Sequence, residues 1–268
     1  MAEKSFANTS KLPPRVNYDK IAHLYDKQTY RQKEVDPNLL VFLKDQPARA
    51  VSSLSILDMG CGTGNQLVAN RAYVPGALLV GLDLSHGMLR QACTKANDII
   101  WVQADSAVPP FRDNSFDFIS NQFSFHHVRD KPAMIKEVFR ILKSGGRFVM
   151  TNICPRETRN WLCYKYFPTA WEIDLQDFMP RETITVLMSQ AGFIDVNIDL
   201  NHINYEQDLN QFWETVQQRE ACSQLMAIPD ADYQTGLQQL EVEIYQAGNQ
   251  PVLAQTEICL LTISAEKP

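Results

Sequence analysis

Between about residues 51 and 153, short apolar runs alternate with segments whose apolar positions recur every three or four residues, the pattern of parallel strands joined by helices. The runs 55–59, 77–84, 99–103 and 147–153 read as strands, and 115–128 reads as a strand running into a loop. Helices are predicted over 65–73, over 85–96 with Ser85 as N-cap, and over 130–143, closed by Ser144-Gly145-Gly146. Upstream, 16–26 puts Tyr18, Ile21, Ala22 and Tyr25 on one helical face, and a second helix spans 36–44 before a link containing Pro47. Beyond residue 153 the alternation lapses. Residues 160–180 are aromatic-rich and predict helical cover, 181–191 a helix stopped by Gly192, and 194–200 a strand. Residues 205–247 read as polar and mostly helical, and 256–264 as a last strand.

The first strand ends in an acid and three alternating glycines, Asp58-Met59-Gly60-Cys61-Gly62-Thr63-Gly64. Glycines there let the backbone approach a ligand closely, and the helix that follows turns unpaired N–H groups toward it. A dinucleotide fingerprint would space its glycines as Gly-x-Gly-x-x-Gly, and the acid two residues before Gly60 would repel a pyrophosphate while suiting a cation. At this loop the chain resembles the class I S-adenosylmethionine-dependent methyltransferases, whose first motif is acid-x-Gly-x-Gly-x-Gly. The Phe116-Asp117 segment, the Leu142-Lys143-x-Gly145-Gly146 turn and the strand after it look like later motifs of the same family, so the resemblance covers about residues 18–153. It is nearest to the group that includes ubiquinone and menaquinone C-methyltransferases.

That resemblance implies an α/β fold: a doubly wound, Rossmann-like sheet of seven mostly parallel strands, with the antiparallel last strand inserted beside the fifth. It implies one methyltransferase domain over 1–268. Residues 1–50 would form a helical lid, 51–153 the cofactor-binding core, and 154–268 a substrate-side half with a helical insertion at about 205–250. The implied cofactor is S-adenosylmethionine, released as S-adenosylhomocysteine. Asp58, Gly60, Gly62 and Gly64 would hold its methionine part, Asp83 the ribose, and Asp105 and Ser106 the adenine side, with Cys61, Leu84, Met88 and Ala104 completing the cofactor-binding set. Asn121 and Gln122 would floor the methyl group, with Tyr25 closing from the lid.

Each residue also has a plainer reading. The lid tyrosines could simply pack, Asp83 could be a solvated strand end, and Asp105 could cap the turn after it. Cys61 is better read as a packed small residue than as a thiolate. His126 and His127 are the candidate catalytic bases, or else structural hydrogen-bonding residues. Members that methylate DNA or protein glutamine carry an Asn/Asp-Pro-Pro-Tyr-like segment where this chain has Asn121-Gln122-Phe123-Ser124, which counts against those substrates. No metal is expected: Glu172, Asp174 and Asp177 read as a solvated face. Trp161, Tyr164, Tyr166, Phe167, Trp171 and Phe178 could line an apolar pocket or form plain core.

Composition narrows the function classes. A net charge of -6 argues against broad attraction to nucleic acid, and the acceptor is expected to be a small molecule. Residues 1–14 carry no signal or transit pattern and no apolar run reaches membrane-spanning length, so a cytoplasmic protein is expected. The six cysteines lack Cys-x-x-Cys spacing and read as reduced. Two alternatives stay open: a non-catalytic S-adenosylmethionine-binding regulator and, against the glycine spacing, a nicotinamide-dependent oxidoreductase.

Overall fold

Seven strands, Ser55–Met59 (β1), Leu78–Asp83 (β2), Ile100–Gln103 (β3), Phe116–Gln122 (β4), Leu142–Ile153 (β5), Ile194–Asp208 (β6) and Leu253–Glu266 (β7), form one sheet in the order β3-β2-β1-β4-β5-β7-β6. The computed structural model describes residues 16–27, 31–45, 48–248 and 250–268; the polar stretch 1–14 and the Pro47 link lie outside them. β1 to β5 pair in parallel, and β7 runs antiparallel between β5 and β6. The expected doubly wound sheet with its antiparallel last strand is therefore present. The order reverses between β1 and β4, and such a switch point opens a crevice above the strand ends.

Helices Tyr18–Tyr25 (α1), Pro37–Lys44 (α2), Asn65–Asn70 (α3), His86–Lys95 (α4), Lys131–Ile141 (α5), Leu162–Tyr166 (α6), Pro168–Asp177 (α7), Arg181–Ala191 (α8), Leu209–Val216 (α9), Ser223–Ala227 (α10) and Asp230–Gln246 (α11) complete the chain. Successive residues of a strand face opposite ways, so Ile56 packs with Leu39, Phe42, Leu67 and Leu89 on one side of the sheet. Leu57 and Met59 pack with Met134, Val138, Ile184 and Met188 on the other. Ser85 caps α4 by accepting from Met88 N–H at 3.1 Å, and Gly192 ends α8 in the left-handed region at φ 105°.

Several boundaries differ from the sequence reading: β5 begins at Leu142 rather than 147, β7 spans Leu253–Glu266 rather than 256–264, and α3 ends at Asn70. α5 stops at Ile141 rather than reaching Lys143, because Leu142 is already extended and pairs with Phe116. β6 continues to Asp208, in register with β7 to Leu253, so the helical insertion begins at Leu209 and not at residue 205. The insertion and residues 161–177 share a core of their own: Tyr164, Tyr166, Phe167, Leu209, Phe212 and Leu240 are buried together. The solvated-face reading of Asp174 fails. It is 4% exposed and accepts from Tyr164 Oη at 2.7 Å and Gln224 Nε2 at 3.0 Å, tying α7 to α10.

Candidate active site

β1 delivers Asp58 between Gly81 of β2 and Ser120 of β4, in the middle of the sheet. Asp58 is 3% exposed, with Ser120 Oγ 3.2 Å from its Oδ1. Burial pushes its carboxyl up to about 7, against the downward pull of Ser120 and Lys33. The chain then turns through Gly60, Gly62 and Gly64, all at positive φ. Gly60 and Cys61 N–H groups donate to Leu82 O, and Gly62 N–H donates to Asp83 Oδ2 at 2.8 Å. Asp83 Oδ1 accepts from Ser85 N–H at 2.8 Å, so one carboxylate joins the glycine loop to the start of α4. Burial pushes Asp83 up while those N–H groups pull it back.

The glycines serve different ends. A Cβ on Gly64 would lie 2.4 Å from the Trp101 ring, so close packing excludes one there. A Cβ on Gly62 would meet nothing within 4 Å, leaving that backbone as an open wall of the crevice. Cys61 is buried, which pushes its thiol well above the usual range and favours packing over reactivity. Leu84 is 60% exposed at the mouth, whereas Met88 is buried beneath α1 with Ile21 and Ala22. Past β3, Ala104 N–H donates to Asp83 O, and Ser106 is half-buried. Asp105 is exposed and does cap its turn, Oδ1 accepting from Ala107 N–H at 2.9 Å.

At the end of β4 the two amides diverge. Asn121 Nδ2 donates to Met59 O at 2.6 Å and Ser124 Oγ at 2.5 Å, pinning β4 to β1, while its Oδ1 is buried without a partner. Gln122 turns to α2, donating to Asp36 Oδ2 at 2.9 Å. The glycine backbone open at Gly62, the buried acid and the unpartnered amide oxygen fit a ligand carrying an amine and a compact polar end.

α1 is bonded at one end to the start of α4 and at the other to the glycine loop. Asp19 Oδ1 accepts from Ser85 Oγ at 2.7 Å and Gly87 N–H at 2.6 Å. Asp26 accepts from Thr63 Oγ1 at 2.7 Å and Asn65 Nδ2 at 2.9 Å, and pairs with Lys95 Nζ at 2.5 Å. Tyr25 lies under the Arg31 guanidinium, 4.0 Å from the ring centroid, with Nη1 donating to its hydroxyl. Tyr18 reaches across to His127, Oη to Nε2 at 2.7 Å. Burial holds the Tyr18 phenol well above its usual range, so it stays a neutral hydroxyl. Burial, with Lys131 nearby, pushes His127 down to about 4, which leaves it neutral at pH 7 although solvent reaches it from the crevice.

His126 faces the other way. Its ring stacks on Phe178 at 4.1 Å and 12°, and Nδ1 is 3.1 Å from Asn152 Nδ2. Burial and the neighbouring His127 hold its pKa well below 6.5. Nε2 is buried without a partner, a condition costing about 1–3 kcal/mol if nothing fills it. His126, Asn152 and Phe178 line a cavity with Phe125, Met150 and Met179 for its apolar wall; at its rim Arg181 pairs with Glu157 at 2.6 Å. Of the six aromatics picked out in the sequence, Phe178 lines this cavity and Tyr164, Tyr166 and Phe167 are cap core. The sequence reading missed Tyr18 and Asn152 as site residues; a helical tyrosine facing the crevice was the available signal for the first.

A family profile described as methyltransferase domain matches residues 57–150. A demethylmenaquinone methyltransferase of Roseiflexus sp. (strain RS-1) is 31% identical over 169 residues, covering 54% of this chain and 69% of the relative. One from Symbiobacterium thermophilum is 38% identical over 101 residues, covering 35% of this chain and 40% of the relative, so part of these relatives' length is unmatched. Among solved structures, a protein of Anabaena variabilis ATCC 29413 proposed as an antibiotic-pathway methyltransferase aligns with a TM-score of 0.62 at 19% identity, over 82% of this chain and 97% of that one. Haemonchus contortus phosphoethanolamine N-methyltransferase 2, solved with S-adenosylhomocysteine, aligns with a TM-score of 0.53 at 20% identity, over 86% of this chain and 52% of that one. The fold, the glycine loop and these relatives make the chain a member of the class I S-adenosylmethionine-dependent methyltransferases. Its cofactor is S-adenosylmethionine.

Proposed function

We propose that the chain transfers a methyl group from S-adenosylmethionine directly to a small, largely apolar acceptor. The observation that carries this reading is the Tyr18–His127 pair, whose imidazole lies 3.8 Å from that of His126, a residue lining the apolar cavity. The cofactor supplies a methyl on a sulfonium that is already a good leaving group, so alignment and exclusion of water are the main demands on the protein. Asp58 and the Gly60–Gly64 backbone bind the methionine end, Asp83 accepts from the ribose hydroxyls, and α1 excludes water. With the Tyr18 hydroxyl donating to Nε2 of the neutral His127, the proton an acceptor must lose passes to Tyr18 Oη as Tyr18 hands its own proton to His127 Nε2.

The matched relatives bear the name demethylmenaquinone methyltransferase, which makes a hydroxylated naphthalene ring the first acceptor to try. The test joins calorimetric titration with S-adenosylhomocysteine, on the wild type and Asp83→Ala, to a radiolabelled methyl-transfer assay on naphthalene-1,4-diol. Saturable binding weakened at least tenfold in Asp83→Ala, no binding of NAD, and label in the diol are expected. Binding without label in the diol or any other small hydroxylated ring would sink the acceptor class. Unweakened binding in Asp83→Ala would remove that carboxylate from the site.

A further inference from the structure

His126 and His127 are adjacent in sequence, with ring centroids 3.8 Å apart, yet their nitrogens are committed differently. Asn152 is 4% exposed, and its Oδ1 accepts from Ile153 N–H at 3.1 Å. A backbone N–H can only donate, so this bond fixes which end of the amide is oxygen. The other end, Nδ2, must then be the donor in the 3.1 Å contact with His126 Nδ1. A neutral imidazole that accepts at Nδ1 carries its hydrogen on Nε2, the atom that is buried without a partner.

We infer that Asn152 locks His126 as a fixed Nε2–H donor to an oxygen of the acceptor bound in the Phe178 cavity, and thereby removes His126 as a base. The inference rests on the acceptor reading above and assigns that acceptor a carbonyl or phenolic oxygen. The chemistry of the cavity agrees: walls of Phe125, Met150 and Met179 favour an apolar body, Arg181 pairs with Glu157 and Glu182, and Arg156 donates to Leu175 O, so the His126 Nε2–H is the neutral donor offered to an acceptor oxygen. Asn152 is a positioning residue and acts only through the imidazole. Phe178, stacked on the ring, holds its plane.

The test is nitrogen NMR on histidine-labelled full-length protein bound to S-adenosylhomocysteine, with His126→Gln identifying one set of signals among the five histidines. His126 is expected as a neutral Nε2–H ring from pH 6 to 8, and a Nδ1–H ring or a rapid mixture would overturn the inference. In Asn152→Asp the carboxylate accepts at Nδ1–H and the tautomer inverts, whereas a merely structural asparagine would leave it unchanged; Asn152→Ser, which frees Nδ1 without burying a charge, should give a mixture. Adding naphthalene-1,4-diol should move both the His126 Nε2–H signal and the methyl signals of Met150 and Met179. Methyl shifts without a shift at Nε2–H remove the donor role. No shift at either, with S-adenosylhomocysteine bound, removes the cavity as the acceptor's place and leaves the family assignment standing. In kinetics, Asn152→Ser should lower transfer to the diol about tenfold with unchanged affinity for S-adenosylhomocysteine.

Discussion

Asp58 carries an acid where little water reaches it. With a folded pKa of about 7 against 3.8 for the free side chain, the native state binds more protons than the unfolded state between those values. The site therefore contributes stability below about pH 4 that is lost progressively as pH rises through 7. A bound ammonium would reverse the balance, since it favours the carboxylate. S-Adenosylhomocysteine affinity should thus rise from pH 6 to pH 7.5, and titrations at pH 6 in buffers of different ionisation heat should register close to one proton released. Asp58→Asn should abolish that release, and an unchanged release would place the proton elsewhere. His127 has the opposite sense. Its folded pKa of about 4 lies below 6.5, so the stability it contributes is present above 6.5 and lost as pH falls toward 4.

At the scale of elements, the glycine loop separates stability from binding. Gly64→Ala drives a methyl into Trp101 at positive φ and should cost about 2–4 kcal/mol in denaturant unfolding. Gly62→Ala meets no neighbour, so it should cost only about 1–2 kcal/mol from its backbone while weakening S-adenosylhomocysteine more than Gly64→Ala does. Equal effects on both measurements would mean that the crevice does not pass over Gly62. The loop was fully legible in the sequence because its spacing is local. β6 was legible only to residue 200, since its outer half is an exposed edge whose residues, from Asn201 through Asp208, carry no apolar run. The end of α5 was misjudged because Leu142 belongs to a pairing with Phe116, 26 residues away, that no local pattern records. The aromatic run 161–178 gave composition but not direction: one ring faces the cavity and most of the others fill the cap.

At the scale of the whole molecule, α1, the proposed lid, is held by polar bonds more than by area, for only Ile21 and Ala22 of it are buried. Hydrogen bonds from Gly87 and Ser85 hold Asp19 below the usual carboxylate range; at Asp26, bonds from Lys95, Thr63 and Asn65 outweigh burial to the same effect. Both clamps persist above pH 4 and loosen as acid protonates them. Asp26→Ala should raise the S-adenosylhomocysteine dissociation constant about tenfold and speed amide exchange in α1, with little change in melting temperature. Slow exchange in α1 with unchanged affinity would show that Asp26 does not hold the lid. None of this clamp could be read from the sequence, where Asp19 and Asp26 are two ordinary acids of a polar helix face.

The Tyr18–His127 bond joins two clocks. On the proposed reading, the segment that swings aside for S-adenosylhomocysteine to leave also carries the phenol bonded to His127. Turnover should therefore follow a compulsory order: cofactor first on and its by-product last off, with inhibition by S-adenosylhomocysteine competitive against the donor and noncompetitive against the acceptor. Steady-state speed would then be set by how quickly one eight-residue helix lets go.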